Sequence, residues 1–441
     1  MALLIKNGLV VTMNRHREVL QADVYIEGNR IAAIEPNSKR KAETIIDAGG
    51  KLVIPGLIQT HVHLCQALFR GMADDMELLD WLMQRIWPLE ASHDEESLYY
   101  SALLGCAELL RGGTTSIIDM GTVNHTAMIF QAVEQAGIRY LGGKCLMDSG
   151  QDVPPALIDE PQAAIDESLA LYQDWNGRHD NRIRYCFCPR FAVSCSDQLL
   201  KEVARISARE NIPVHTHASE NRSEIRLVEE QRGMPNVVYL DRLGLTGPNL
   251  ILAHCIHLKD TEKDILAQSG THIAHCPGSN LKLASGIAPV PELLGRGARV
   301  SLGADGAPCN NLMSMFNEMR LAALIQKPFH GPRAMPAETV FAMATINGAC
   351  AMGLADEIGS LEVGKKADLA VVSLAPWHHC PPQGAGVYSH LVYQATASDV
   401  EATVVDGQLV MQNGQLLTIP EVEVRQNTAR SLKRVRQRCG L

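Results

Sequence analysis

Residues 52–63, LVIPGLIQTHVH, form a short apolar run that is punctuated by Pro-Gly and ends in two histidines. So few residues with no polar alternation fit a strand buried on both faces, as in a parallel sheet. Seven stretches of the same kind follow: TTSIIDM (114–120), IRYLGGKCLM (138–147), IRYCFCPRF (183–191), IPVHTHASE (212–220), NLILAHC (249–255), THIAHCP (271–277) and RVSLGAD (299–305). Helical patterns separate them. Eight strands alternating with helices over ~250 residues predict an α/β fold of the (β/α)8 TIM-barrel type. The long segment between the first two strands, HLCQALFRGMADDMELLDWLMQRIWPLEASHD, is expected to lie over the barrel mouth.

Outside this region the pattern changes. The first ~50 residues alternate as short strands joined by Gly-Asn and Ala-Gly-Gly turns. The same style returns at 364–374 and 400–417, with Asp-Gly and Asn-Gly turns. Each piece alone has too little core to be stable, so the two ends are expected to build one small β-sandwich domain together. The predicted division is 1–55 and 362–420 for the sandwich, 56–361 for the barrel and 421–441 for a C-terminal helix or tail.

Composition narrows the function. The chain has 441 residues, of which 46% are hydrophobic and 20% charged, which excludes a disordered or low-complexity protein. No apolar run approaches the ~18 residues of a membrane span. A formal charge of -9 argues against a nucleic-acid partner, and the basic tail 431–441 reads as a solvated helix. Twelve cysteines without paired CxxC motifs suit reduced thiols, and with no signal-like start they place the protein in the cytoplasm.

The polar residues gather where barrel enzymes carry their chemistry, at the C-terminal ends of strands. His61 and His63 share one strand face, as do His215 and His217. Glu220 follows shortly after, His254 ends the sixth strand, and Asp305 ends the eighth. Imidazoles with one carboxylate suit one divalent metal with a position left for water: zinc first, iron or manganese as alternatives. The fourth strand has no lysine to bridge two ions after carboxylation, which favours a single ion. The zinc-deaminase signature H-x-E…P-C-x-x-C, the H-E-x-x-H motif and a Gly-rich phosphate loop are all missing from the chain.

PGLIQTHVH, H-x-x-E at 217–220, AHC at 253–255 and LGADGA at 302–307 resemble the amidohydrolase superfamily, in particular its aminoheterocycle deaminase branch. The likeness extends through SNLKLASGIAPVP (279–291), IGSLEVGKKADL (358–369) and VVDG (404–407). RGMADDMELLDWL…IWPLE (70–90) and GAPCNN…EMR (306–320) resemble the 5'-deoxyadenosine and methylthioadenosine/S-adenosylhomocysteine deaminases, often labelled N-ethylammeline chlorohydrolase-like. The resemblance implies His61, His63, His217 and Asp305 as metal ligands. It implies Glu220, His254 and Asp305 as catalytic groups: Glu220 shuttling protons, His254 orienting the attacking water and Asp305 accepting its proton.

For the substrate, an aminoheterocycle, the resemblance divides. Glu90 matches the position that holds ribose hydroxyls in the methylthioadenosine enzymes, and Trp81 and Trp87 would wall the pocket. Gln66, GKCLMD (143–148), PRF…SCS (189–196) and HASEN (217–221) look more like guanine deaminase. Lys144 and Arg190 replace an arginine and a histidine of the methylthioadenosine enzymes, and Arg190 offers a forked contact to a ring or ribose oxygen. The expected substrate contacts are therefore Gln66, Trp81, Glu90, Lys144, Arg190 and Glu220. The expected reaction is deamination of an adenosine-type nucleoside. A free aminopurine such as guanine, or an s-triazine, is the alternative, with a non-catalytic barrel behind both. Barrels with a long first excursion often pair through it, so a homo-dimer or homo-tetramer is expected. Cys186, Cys188, Met313, Met315 and Met319 read as core, one of His272 and His275 as a neighbour of the site, and His378 and His379 as surface.

Overall fold

The computed structural model describes residues 2–150 and 152–440. Its centre is a closed ring of eight parallel strand positions. The first strand, Leu57–His63, pairs with Thr114–Asp119, which pairs in turn with Arg139–Gly142. Ile183–Tyr185 and Cys188–Pro189 form the fourth position, and the bridges Phe187↔Val214 and Phe191↔His217 carry the ring to the fifth strand, Val214–Ala218. Leu250–His254, His272–His275 and Arg299–Leu302 follow in order, and Asp305 pairs with Val62 to close the ring. All seven residues of the first strand are buried, as expected of a strand covered on both faces. Three predicted strands are broken, after Gly142, Tyr185 and Leu302, where the ladder is interrupted before a final short pair.

The surrounding helices follow local rules. Asp197–Glu210 buries Leu199, Leu200, Val203, Ala204 and Ile206 along one stripe. Ser196 caps its start by accepting the Leu199 N–H, and Asn211 ends it in the left-handed region.

Both chain ends contribute to one nine-stranded sheet. Strands between Ala2 and Pro55 join strands between Leu369 and Leu416 through the antiparallel pairing of Lys51–Pro55 with Leu369–Ser373. The C-terminal helix, Glu421–Cys439, is more than a solvated tail: its Val435 is fully buried in a cluster with Leu68, Phe69 and Leu89 beneath the first excursion.

Barrel and sheet are locked by a buried charge cluster. Arg139, on the third strand, donates to both carboxylate oxygens of Asp368 at 2.7 and 2.9 Å and to Asp406 at 3.2 Å. Arg139 and Asp368 side chains are each 2% exposed. Removing one partner of such a pair strands the other charge in a dry interior, at about 3–5 kcal/mol. Arg139→Met should therefore lose stability by that amount in urea unfolding. A midpoint equal to that of the parent protein would show that the cluster does not join the two parts.

Candidate active site

His61 and His63 reach the same point because they are two residues apart on the first strand, and Asp305 arrives from its neighbour in the ring. The approach is tight: a Cβ at Gly303 would lie 2.7 Å from the His61 carbonyl oxygen and 2.8 Å from its nitrogen. His217 completes the group from the fifth strand. His63 Nε2 lies 3.3 Å from His217 Nε2, and Asp305 Oδ1 lies 3.3 Å from His61 Nε2 and 3.4 Å from His63 Nε2.

The tautomers follow from what stands behind each ring. The Ile251 carbonyl can only accept, so His215 Nδ1 donates to it at 3.2 Å. His215 Nε2 then accepts from His61 Nδ1 at 2.8 Å, which leaves a lone pair on His61 Nε2. That nitrogen is buried and has no hydrogen-bond partner. His217 Nδ1 likewise donates to the Arg190 carbonyl at 2.6 Å, and its Nε2 faces inward with a lone pair. His215 is thus a support for His61, not a member of the inward-facing group.

These observations fit a metal ion. Ligands at zinc distances of about 2.0–2.1 Å in a tetrahedron stand ~3.3–3.4 Å apart, the spacing seen here. His61, His63 and His217 offer donor atoms within 4.8 Å of one another, and so do His61, His254 and Asp305. Burial, followed by the neighbouring charged forms, holds His63 and His217 well below the ordinary histidine range. The pressure on both is therefore toward the neutral, ligating form.

His254 plays a different part. Its Nδ1 donates to Asn280 Oδ1 at 2.8 Å, and its Nε2 faces Glu220 at 3.5 Å and Asp305 Oδ2 at 3.8 Å. Burial presses its pKa down, but the Glu220 and Asp305 charges outweigh it and raise it above the ordinary value. Burial pushes Glu220 up to about 7, against the opposing pull of His254. His254 and Asp305 have φ of 74° and 65°, a left-handed backbone that costs non-glycine residues about 1–3 kcal/mol and is concentrated at functional sites.

Sequence reasoning assigned no role to the residues that hold these groups from behind. The Ser279 hydroxyl donates to Asp305 Oδ2 at 2.6 Å. Glu318, buried and thereby raised to about 8, accepts the Gly278 N–H at 2.9 Å and braces the same turn. Glu224 accepts the Glu220 N–H at 2.8 Å. Ser279 and Asn280 lie in the conspicuous SNLKLASG stretch, which was the available signal. Glu318 had none beyond its place in E-M-R.

The expected substrate residues separate. Gln66, Trp81, Arg190 and Glu220 line a small cavity of ≈30 Å³ with His63, His254 and Asp305, and Leu78 and Leu82 add apolar wall to it. Glu90 is not in the lining: it accepts from Gln66 at 2.8 Å and from Arg190 at 2.6 and 3.3 Å, and so braces both. Lys144 is a correction. Its ammonium is spent on Asp159 at 3.0 Å, Glu167 at 2.9 Å and the Val123 carbonyl, outside the pocket. Trp87 is buried but does not line the cavity; a π-helical turn at Leu82–Ile86 lies between it and Trp81. His272 sits beside Arg299 at 3.5 Å, and His275 is buried with neither ring nitrogen bonded.

The model of the amidohydrolase family matches residues 52–410 of the chain. A 5'-deoxyadenosine deaminase of Methanothermobacter thermautotrophicus is 41% identical over 411 residues, covering 91% of this chain and 92% of that protein. A 5-methylthioadenosine/S-adenosylhomocysteine deaminase of Syntrophobacter fumaroxidans is 39% identical, with 98% of each chain covered. Among solved structures, an adenosine deaminase from Xanthomonas campestris with bound zinc superposes with a TM-score of 0.92 at 31% identity, covering 99% of this chain and 98% of the other.

The relay behind His61 is open to a direct test. His215→Phe keeps the volume but removes the acceptor, and losing such an outer partner costs about 10–100-fold in metal affinity. Competition with a chromophoric chelator should show that loss in a variant of unchanged circular dichroism. Equal affinity would mean that His215 is only core.

Proposed function

The chain belongs to the amidohydrolase family, and from that premise we propose a metal-dependent deaminase of adenosine-type nucleosides. It hydrolyses a carbon–nitrogen bond in a cyclic amidine, releasing ammonia and leaving the inosine analogue. Relatives named for 5'-deoxyadenosine and for methylthioadenosine and S-adenosylhomocysteine, at 41% and 39% identity over nearly the whole chain, support the substrate class. The observation that carries the reading is the juxtaposition of two groups. The inward-facing set His61, His63, His217 and Asp305 lies directly beside the Glu220–His254 pair, whose members are 3.5 Å apart.

His61, His63, His217 and Asp305 would hold one divalent ion, zinc by the chemistry of the donor set, and when bound it would acidify a water enough to supply the nucleophile at neutral pH. Asp305, its Oδ2 fixed by Ser279, takes the water proton. His254, anchored on Asn280, directs its Nε2 proton at the attacking oxygen. Glu220 gives its proton to the ring nitrogen, which makes the amidine carbon electrophilic, and then carries the hydroxyl proton of the tetrahedral adduct to the departing ammonia. The proton held by Asp305 returns to Glu220 and resets the site. A carboxyl with a pKa of about 7 is available in both forms for these two steps.

Substrate recognition rests on Gln66, Trp81 and Arg190, with Glu90 bracing. Gln66 Oε1 and Trp81 Nε1 are buried without partners, one acceptor and one donor free for a heterocycle edge. A cavity of ≈30 Å³ is smaller than a nucleoside, so the pocket must widen to admit substrate. The same reading takes the shared sheet as a β-sandwich domain of 1–55 and 362–420 on a barrel of 56–361, with 421–441 as the terminal helix. It places the enzyme in the cytoplasm as a homo-dimer or homo-tetramer. Among the described residues the twelve cysteines are all free thiols, and no helix there is long and apolar enough to cross a membrane.

Glu220→Gln should retain its metal yet lose about 10²–10⁴-fold in turnover. Ammonia release from 5'-deoxyadenosine, methylthioadenosine, S-adenosylhomocysteine, adenosine, guanine and a triazine measures both the loss and the preference. Near-normal turnover in the variant removes the shuttle, and activity confined to guanine removes the nucleoside assignment.

A further inference from the structure

A second group of metal-type side chains lies away from the barrel mouth, in the segment between the sheet strands Leu369–Ser373 and Val400–Val405. Its histidines read as surface residues in the sequence, and the structure corrects one of them. The His379 side chain is 0% exposed and that of His378 is 43% exposed. We propose that His378, His379 and Asp399 form a second divalent-cation site, best suited to zinc, which ties this segment down.

Three donor atoms, one from each residue, lie within 4.8 Å of one another. His378 Nε2 is 2.9 Å from Asp399 Oδ2, and His379 Nε2 is 3.4 Å from the same oxygen. The tautomers again decide the matter. The Pro382 carbonyl accepts from His390 Nε2 at 2.9 Å, so His390 Nδ1 carries a lone pair. It accepts from His379 Nδ1 at 3.1 Å. His379 Nε2 is then left with a lone pair pointed at a carboxylate, buried and with no hydrogen-bond partner. Two electron-rich atoms facing each other in a dry place repel, so a positive centre belongs between them. A proton would satisfy two atoms; the third, on His378, converges as well, which suits an ion better.

Two imidazoles and one carboxylate, with water in the fourth position, are a common zinc set. The exposed edge of His378 provides the entry path and room for that water. To bind, His378 gives up its Nε2 proton and takes one from solvent at Nδ1, so the site gains the charge of the ion alone. Asp399 Oδ2, the oxygen that faces both histidines, is already fixed in place, since it accepts the Thr396 N–H at 2.8 Å and the Thr396 hydroxyl at 3.0 Å. Both ends of the segment are thereby joined: His378 and His379 just after one strand, Asp399 just before the next.

The test compares zinc content and thermal unfolding of the full chain with those of His378→Ala and His378→Gln after dialysis against a zinc buffer. His378 is partly exposed, so both variants should fold, which circular dichroism checks. Each should hold one zinc equivalent less than the parent, whatever the barrel site contains, with turnover unchanged. The parent should also melt several degrees higher with zinc than the variants do. Equal zinc content in parent and variants overturns the site. A loss of turnover that parallels the loss of zinc overturns its independence from the barrel.

Discussion

Three imidazole nitrogens and one carboxylate oxygen face one another across about 3.3 Å in a space almost closed to water. Such a convergence of lone pairs is unfavourable by itself, and much of the surrounding barrel exists to hold it. The Ile251 and Arg190 carbonyls fix two rings from behind, Ser279 fixes the carboxylate, and Gly303 lets the eighth strand approach the first. The converging groups come from ring positions one, five and eight, so they meet only when the ring is closed. Fold and site are therefore one cooperative object.

The same constraint explains the division of labour among similar residues. His215 and His217 share a strand face, yet one faces the cluster and the other stands behind His61. Glu220 and Glu224 are both buried carboxylates; one faces His254 while the other holds backbone N–H groups at a helix start. Chemistry is assigned by what lies behind a side chain as much as by its type.

This is also where the sequence stops being legible. The period of a strand puts His61 beside His63, and the order of strands puts His217, His254 and Asp305 at one end of the ring, so their convergence could be read directly. Partners set by three-dimensional approach could not. Nothing local says that Glu90 will brace Gln66 and Arg190, since Arg190 lies 100 positions away from it. Lys144 sits at a strand end like the others, but its long side chain turns outward to Asp159 and Glu167. Arg139 finds Asp368 across 229 positions, a pairing that no period encodes. The two sheet-forming ends were recognisable by their turns, whereas the burial of His379 was not, because it depends on how an irregular segment folds over Asp399.

The sheet shared by both chain ends has a consequence in time. The strand Lys51–Pro55 has its neighbour in Leu369–Ser373, made roughly 300 residues later. At ~5–20 residues per second on the ribosome, that edge waits on the order of tens of seconds with its hydrogen-bonding groups unpaired. An open apolar edge is a ready template for other chains. The barrel, whose strands pair mostly with their immediate successors, can assemble meanwhile and present Arg139 to the incoming Asp368. The later strands then seal the first ones, so a chain cut short before residue 369 would keep its clustered histidines and lack the partner that covers its own beginning.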